Sequence, residues 1–437
     1  MKHFIYFFLV FLIFTGCTAQ KPQQLIKQGE VERILETLSS DAMQGRGVFT
    51  QGIERAAQFI EKEFREVGLQ PLAGEADFRQ RFSMIRLNPG SPIVRIDSEN
   101  LNPSRVIVVS NEKELNWNQD SDIEIQFIQP GQSFMEKYKR ILADQMPAIV
   151  FVDEQFYSAF KRLREHQMRE RVIQEPEAKP SANMVFVLGV SHKPQLFSVN
   201  FQNRTESSPL FNIAGVIPGK SKAKECVIFS AHYDHLGVLE VSEGDSVANG
   251  ADDNASGVAA IVSLARYYKK LNNNQRTLIF VAFTAEEIGL VGSRYFSGKM
   301  NPEDIVAMLN IEMIGKRSKF GANSAFVTGF EKSDLGEILQ GNLSASDFKF
   351  HPDPYPSQQL FYRSDNVSLA AKGVPAHTIS TVQIDKDDLY HTVKDELLTL
   401  DTQNITATIK AIALGAEGIV VGEDTPKRIP LPEQEGD

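Results

Sequence analysis

Asn249-Gly250-Ala251-Asp252-Asp253-Asn254-Ala255-Ser256-Gly257 sets two adjacent carboxylates between glycines, directly ahead of an apolar, helix-like run from Val258 to Tyr268. Asn254 or Ser256 can cap that helix at its N-terminus. A β-prone run stands on either side, Cys226-Val227-Ile228-Phe229-Ser230 before it and Leu278-Ile279-Phe280-Val281-Ala282-Phe283 after it. A helix from Ala285 and a strand over residues 307–311 continue the alternation. It predicts an α/β fold, a three-layer sandwich whose central, mostly parallel mixed sheet is covered on both faces by helices. Ligands of such open sheets sit beyond the carboxyl ends of the strands.

Four further segments carry an acid or imidazole to such a position. The first run ends in Ala231-His232-Tyr233-Asp234-His235, where Asp234 can hold the second ring nitrogen of a metal-bound His232. His235 reads as structural. The second run delivers Thr284-Ala285-Glu286-Glu287. Thr284 and Glu287 have capping-box spacing, but capping leaves Glu286 unexplained. Paired glutamates suit a metal hydrolase, one binding the cation and the other taking a proton from water. Glu312 interrupts the apolar run Leu309-Asn310-Ile311-Glu312-Met313, where a carboxylate is costly unless a cation pairs with it. Asp388-Leu389-Tyr390-His391-Thr392-Val393-Lys394-Asp395 closes the series, with His391 free to be a ligand and Asp395 placed to cap the final helix. His166, His192, His351 and His377 read as surface or packing residues.

Taken in order, Ala-His-Tyr-Asp-His, Gly-Ala-Asp-Asp-Asn-Ala-Ser-Gly, Ala-Glu-Glu-Ile-Gly-Leu-Val-Gly-Ser, Asn-Ile-Glu-Met-Ile-Gly and Tyr-His-Thr-Val-Lys-Asp resemble the M28 family of co-catalytic zinc aminopeptidases. The resemblance runs from about Asn212 to Val421, and more faintly over Ser39 to Leu72, which holds the turn Gly45-Arg46-Gly47. It implies a zinc-exopeptidase fold, two Zn2+ ions per chain and peptide substrates. Carried over by position, Asp252 bridges the two ions, His232 and Glu312 complete one site, and Glu287 and His391 the other. Glu286 is the general base, Asp234 orients His232, and the Asp252–Asp253 peptide is cis. Two departures stand out: Glu312 replaces the aspartate usual in relatives, and Asn366 replaces a histidine, with an expected effect on the substrate pocket. The alternatives are a single-zinc, glutaminyl-cyclase-like enzyme on the same fold and a non-catalytic peptide-binding lipoprotein.

Met1-Lys2-His3 and the apolar residues 4–14 read as an export signal. Phe14-Thr15-Gly16-Cys17 resembles the lipobox of bacterial lipoproteins, which implies a lipidated Cys17 and anchorage in the cell envelope. Cys226 then has no disulfide partner. The expected organisation is a signal over residues 1–17, N-terminal helices of the peptidase domain over 18–81, an inserted module over 82–205, either of the protease-associated type or an elaboration of the main sheet, and the peptidase core over 206–427. A helix is expected over residues 156–173, followed by a solvated linker from Gln174. The 437 residues are 42% hydrophobic and 23% charged, ample for a folded core. The formal charge of −10 and the lack of a Lys/Arg stripe argue against a nucleic-acid partner.

Overall fold

The computed structural model of the chain describes residues 22–174, 183–344 and 346–431. The leader with Cys17 and the linker after Gln174 lie outside the described residues. The chain divides into two compact units, one of residues 1–80 and 212–437, the other of residues 81–211.

The larger unit is built on a mixed sheet. Its strands run in the order Lys349–Pro352, Ser324–Val327, Ala376–Ser380, Ile305–Ile311, Lys222–His232, Arg276–Phe283 and Phe197–Ile217. Lys222–His232 pairs in parallel with both Arg276–Phe283 and Ile305–Ile311. The chain thus leaves this central strand through the helix Gly257–Leu271 to a neighbour on one side. It then crosses through the helix Val291–Lys299 to a neighbour on the other. The connection reverses direction at Lys222–His232, and the crevice outside that switch point is where open α/β sheets bind ligands.

Alternation along the strands explains the layers. Ile228, Ile279, Val281 and Phe283 pack on one face with Phe296, Leu369 and Val374. Phe229 and Phe280 point the opposite way, stacked on each other at 5.4 Å between centroids, and Phe229 meets Tyr268 of the helix Gly257–Leu271 at 5.4 Å. Period-two side chains buried on both faces need helices above and below. The stretch Thr402–Val421, apolar enough to cross a membrane, is mostly buried inside the protein.

The smaller unit holds a four-stranded sheet in the order Val106–Val109, Met184–Leu188, Ala148–Val152 and Glu124–Ile128. Met184, Phe186 and Leu188 pack under the helices Phe134–Asp144 and Tyr157–Gln167, while Val185 and Val187 face Val94, Leu115 and Val199 on the other side. The helix expected over residues 156–173 stops at Gln167, because Arg171–Gln174 is drawn into an antiparallel pairing with residues 84–87.

Phe229 is fully buried between two aromatic partners. Phe229→Ala should cost about 3–5 kcal/mol, read as a lowered urea midpoint at unchanged slope for the unit that carries it.

Candidate metal centre

His232 is the last residue of the central strand, and the register that sets Ser230 opposite Asn310 carries on to set it level with Glu312. Phe283 ends the strand on the other side, and Glu286 and Glu287 follow in a turn, Ala285 having φ +57°. The expected helix from Ala285 begins only at Val291. Glu287 therefore performs no capping and is free for other partners.

The Asp-Asp pair divides differently from the expectation. The cis peptide joins Asp253 to Asn254, not Asp252 to Asp253. Asp253 turns its carboxylate into the cleft, with Oδ1 3.2 Å from His232 Nε2 and Oδ2 3.3 Å from His391 Nε2. Asp252 turns away. Its Oδ1 accepts the Gly315 N–H at 2.7 Å, and its Oδ2 lies 3.7 Å from Lys316, which is itself paired to Asp387 at 2.6 Å. Burial, with Asp395 beside it, pushes the Asp252 carboxyl up to about 8. Asp253, not Asp252, is thus the carboxylate shared by the cluster.

Around Asp253 the other groups converge. His232 Nε2 is 3.0 Å from Glu312 Oε1. His391 Nε2 is 3.2 Å from Glu287 Oε2, and His235 Nδ1 is 2.8 Å from Glu287 Oε1. The structure brings His235 into the cluster, contrary to its reading as a structural residue, and its Nε2 is buried with no hydrogen-bond partner. Asp234 works mainly through other atoms than expected. Its carbonyl oxygen meets His232 Nδ1 at 3.1 Å, its carboxylate stands 3.7 Å from that nitrogen, and the carboxylate accepts the Glu286 and Glu287 N–H groups at 3.1 and 3.3 Å.

Two donors on one tetrahedral cation, each about 2.1 Å from it, lie roughly 3.4 Å apart. The separations of His232 from Asp253 and Glu312, and of His391 from Asp253 and Glu287, match that spacing, and His235 forms a further close group with Asp253 and Glu287. Four carboxylates crowd together here with three imidazoles, an arrangement that calls for added positive charge. Burial works against charge on His232, yet Glu312 and Glu286 hold its imidazole well above the usual range. Burial pushes Glu286 well up, against the opposing pull of His232.

Three devices fix this geometry. Arg46 is fully buried. Its guanidinium donates to the carbonyls of Tyr233 at 2.9 Å, Asn249 at 2.6 Å, Gly250 at 2.8 Å and Asp253 at 3.4 Å, and to Leu38 at 2.6 Å. Burial lowers it to about 10 while Asp253 and Asp395 push back, so it stays charged at neutral pH. Gly45 precedes it at φ +61°, where a Cβ would lie 2.4 Å from the Gly237 carbonyl oxygen, so only glycine lets the turn approach so closely. Asn254 brackets Glu312, donating to the Ile311 carbonyl at 3.0 Å and accepting the Met313 N–H at 3.3 Å. Asp395 accepts the Asp252 and Asp253 N–H groups at 3.0 Å. It is Asp401, not Asp395, that caps the helix Thr402–Gly415, and one more short helix, Glu417–Val421, follows it.

His232, Asp253, Glu286, Glu287, Glu312 and His391 line one cleft, whose outer wall includes Met313, Phe326, Leu360, Val382 and Ile384. Asn366 does not line it. It is buried, donating to the Phe361 carbonyl at 3.1 Å and accepting from Thr378 Oγ1 at 2.8 Å, so it pins a loop rather than shaping the pocket. His377 bonds to Ser333 and Thr328, and His351 stacks on Phe320.

Open mixed sheet, switch-point crevice and shared-carboxylate cluster together define a zinc-exopeptidase type of architecture. The aminopeptidase from Aneurinibacillus sp. strain AM-1 superposes with a TM-score of 0.54 at 16% identity, over 95% of this chain and 98% of that one. A zinc aminopeptidase from Bacillus subtilis gives 0.54 at 15% identity, over 92% and 97%. Residues 212–415 match peptidase family M28. Among curated relatives, aminopeptidase YwaD of Bacillus subtilis is 29% identical over 246 residues, 52% of this chain and 48% of its own length. A vacuolar membrane protease of Schizosaccharomyces pombe is 29% identical over 195 residues, 43% of this chain and 20% of its own. The chain thus spans between about a fifth and a half of these relatives.

Asp253→Asn should remove most zinc binding, whereas Asp252→Asn should keep it, as counted by metal analysis after gel filtration. Arg46→Met should cost at least about 3 kcal/mol in stability, because it leaves several buried carbonyls without a donor. The measurement is chemical denaturation of the metal-loaded protein.

Proposed function

We propose that the chain is an aminopeptidase that removes N-terminal residues from peptides and would hold two zinc ions, with Asp253 a ligand available to both. His232 and Glu312 complete one site, and Glu287 and His391 the other. The observation that carries the reading is the placing of Asp253 Oδ1 and Oδ2 towards imidazoles on opposite sides, 3.2 Å from His232 and 3.3 Å from His391. His235 holds Glu287 through Oε1, which leaves Oε2 for the side of the cleft where His391 stands. The extra methylene of Glu312 is taken up in the same manner. Ser364 donates to its Oε2 at 2.9 Å, so only Oε1 faces His232 and the cleft. The metal-ligand reading of both sites also draws support from the zinc aminopeptidases that share the fold.

When bound, zinc supplies Lewis acidity towards the scissile carbonyl and towards water. Glu286 does the proton work. It is half-buried at the floor of the cleft, and its raised affinity for a proton suits a group that takes one from the attacking water and returns it to the leaving amine. The excess of carboxylate around it favours a substrate's free α-ammonium group at this end. The apolar side chains of the outer wall exclude water and accept a side chain of the substrate. Cys17 would carry the lipid that holds the protein in the cell envelope.

Glu286→Gln should lower kcat on aminoacyl-anilides by about 10²–10⁴-fold while zinc content stays at wild-type level. Equal activity of the variant would overturn the assignment of the base. Full zinc loading of the wild type with no cleavage of any anilide or dipeptide would overturn the peptidase reading.

A further inference from the structure

We propose that the cleft contains a carboxylate-binding subsite built on Arg363, selecting peptides with a carboxylate close to the bond that is cut. The proposal rests on the aminopeptidase reading and names its substrate class: short peptides whose C-terminal carboxylate reaches Arg363, or peptides with an acidic side chain at that place.

The lining of the cleft has three chemically distinct parts. The floor is acids and imidazoles, the wall is apolar, and Arg363 is the single Lys or Arg among the lining residues. Its guanidinium is exposed and makes no ion pair among the described residues. Its one side-chain hydrogen bond, to Gln358 Oε1, is 3.5 Å long, at the outer limit for such a bond. The buried arginines contrast sharply: Arg46 and Arg276 spend their donors on carbonyls and a carboxylate of the protein itself. Arg363 has donors to offer and a cavity to offer them into.

The support beneath Arg363 is rigid. Its N–H bonds to the Leu360 carbonyl at 3.1 Å. The next residue, Ser364, is buried and donates to Glu312 Oε2 at 2.9 Å, and Asn366 ties the same loop to the strand Ala376–Ser380. Neighbouring Cα atoms are about 3.8 Å apart, so the arginine stems from within one residue of a group that touches the candidate metal cluster. A carboxylate one or two residues beyond the scissile bond is within its reach. Along the floor, Asp253, Glu286 and Glu287 repel a carboxylate and attract an ammonium group. At Arg363 the preference is reversed, and the planar fork of guanidinium matches a carboxylate with two parallel bonds. A short peptide is thereby aligned by both its ends.

The test measures binding of Leu-Gly and of Leu-Gly amide to Glu286→Gln by calorimetry, with and without Arg363→Met, and kcat/KM for the same pair with Glu286 intact. The free acid should be favoured about 10- to 100-fold, through KM and not kcat. Arg363→Met should bring the ratio close to one, and Arg363→Lys should leave it in between. The readout is a ratio, so a general loss of activity or fold cancels. Leu-Asp amide against Leu-Gly amide separates the sources: an Arg363-dependent preference there assigns the subsite to an acidic side chain. A ratio near one in both comparisons, or one that survives Arg363→Met, overturns the proposal. Failure of the peptidase reading looks different, since no peptide or anilide would be cleaved while the binding ratio could still be read.

Discussion

The site depends on one buried cation. Arg46 has no access to solvent, and its guanidinium holds four carbonyls from the two loops that carry His232 and Asp253. Carbonyl oxygens left unpaired in that position would each cost about 1–3 kcal/mol, so the loops cannot separate without exposing them. The constraint also has a sign. A positive charge beneath a group of carboxylates offsets part of their mutual repulsion, and the carboxylates in turn keep the arginine charged despite its burial. The N-terminal helices thereby become part of the cluster's foundation.

From that foundation the rest follows by strand register. Three neighbouring parallel strands end at the same level, and each delivers a charged residue at or just after its last position: His232, the Glu286-Glu287 turn and Glu312. Asn254 locks the third of these to the Asp253 loop by bonding on both sides of Glu312. Asp395 does the same from the far side, anchoring the loop's amides. The hydrogen bonds that would satisfy an ordinary turn have been spent on holding ligand-bearing segments in register.

Much of this was legible in the chain. The alternation from Cys226 to Ile311 is strong because both sheet faces are covered, so strands appear as unbroken apolar runs and their ends as abrupt changes to His, Glu or Asp. What failed was local. Asp252 and Asp253 are chemically identical neighbours, and only the turn between them decides which one faces the cleft; the decisive contacts, Gly315 and Lys316, lie more than sixty residues away. His235 looked idle because its partner is Glu287, and Asp395 looked like a helix cap because its true partners are backbone amides, which no sequence pattern displays. Asn366 suggested a pocket residue by its place in a motif, yet its amide is used up inside the loop.

The reach of Arg46 has a consequence for how the chain is made. Apart from Leu38, its partners lie 187 to 207 residues further along. A polypeptide emerging N-terminus first therefore presents this arginine long before any of the loop carbonyls exist. Contacts so distant in sequence delay closure, and here they make the delay orderly. The early helices cannot reach their final burial with an unpaired cation between them and the core. The intervening unit has apolar cores made of its own residues to occupy the wait. Closure of the domain thus brings the N-terminal segment and the two loops together on one side chain.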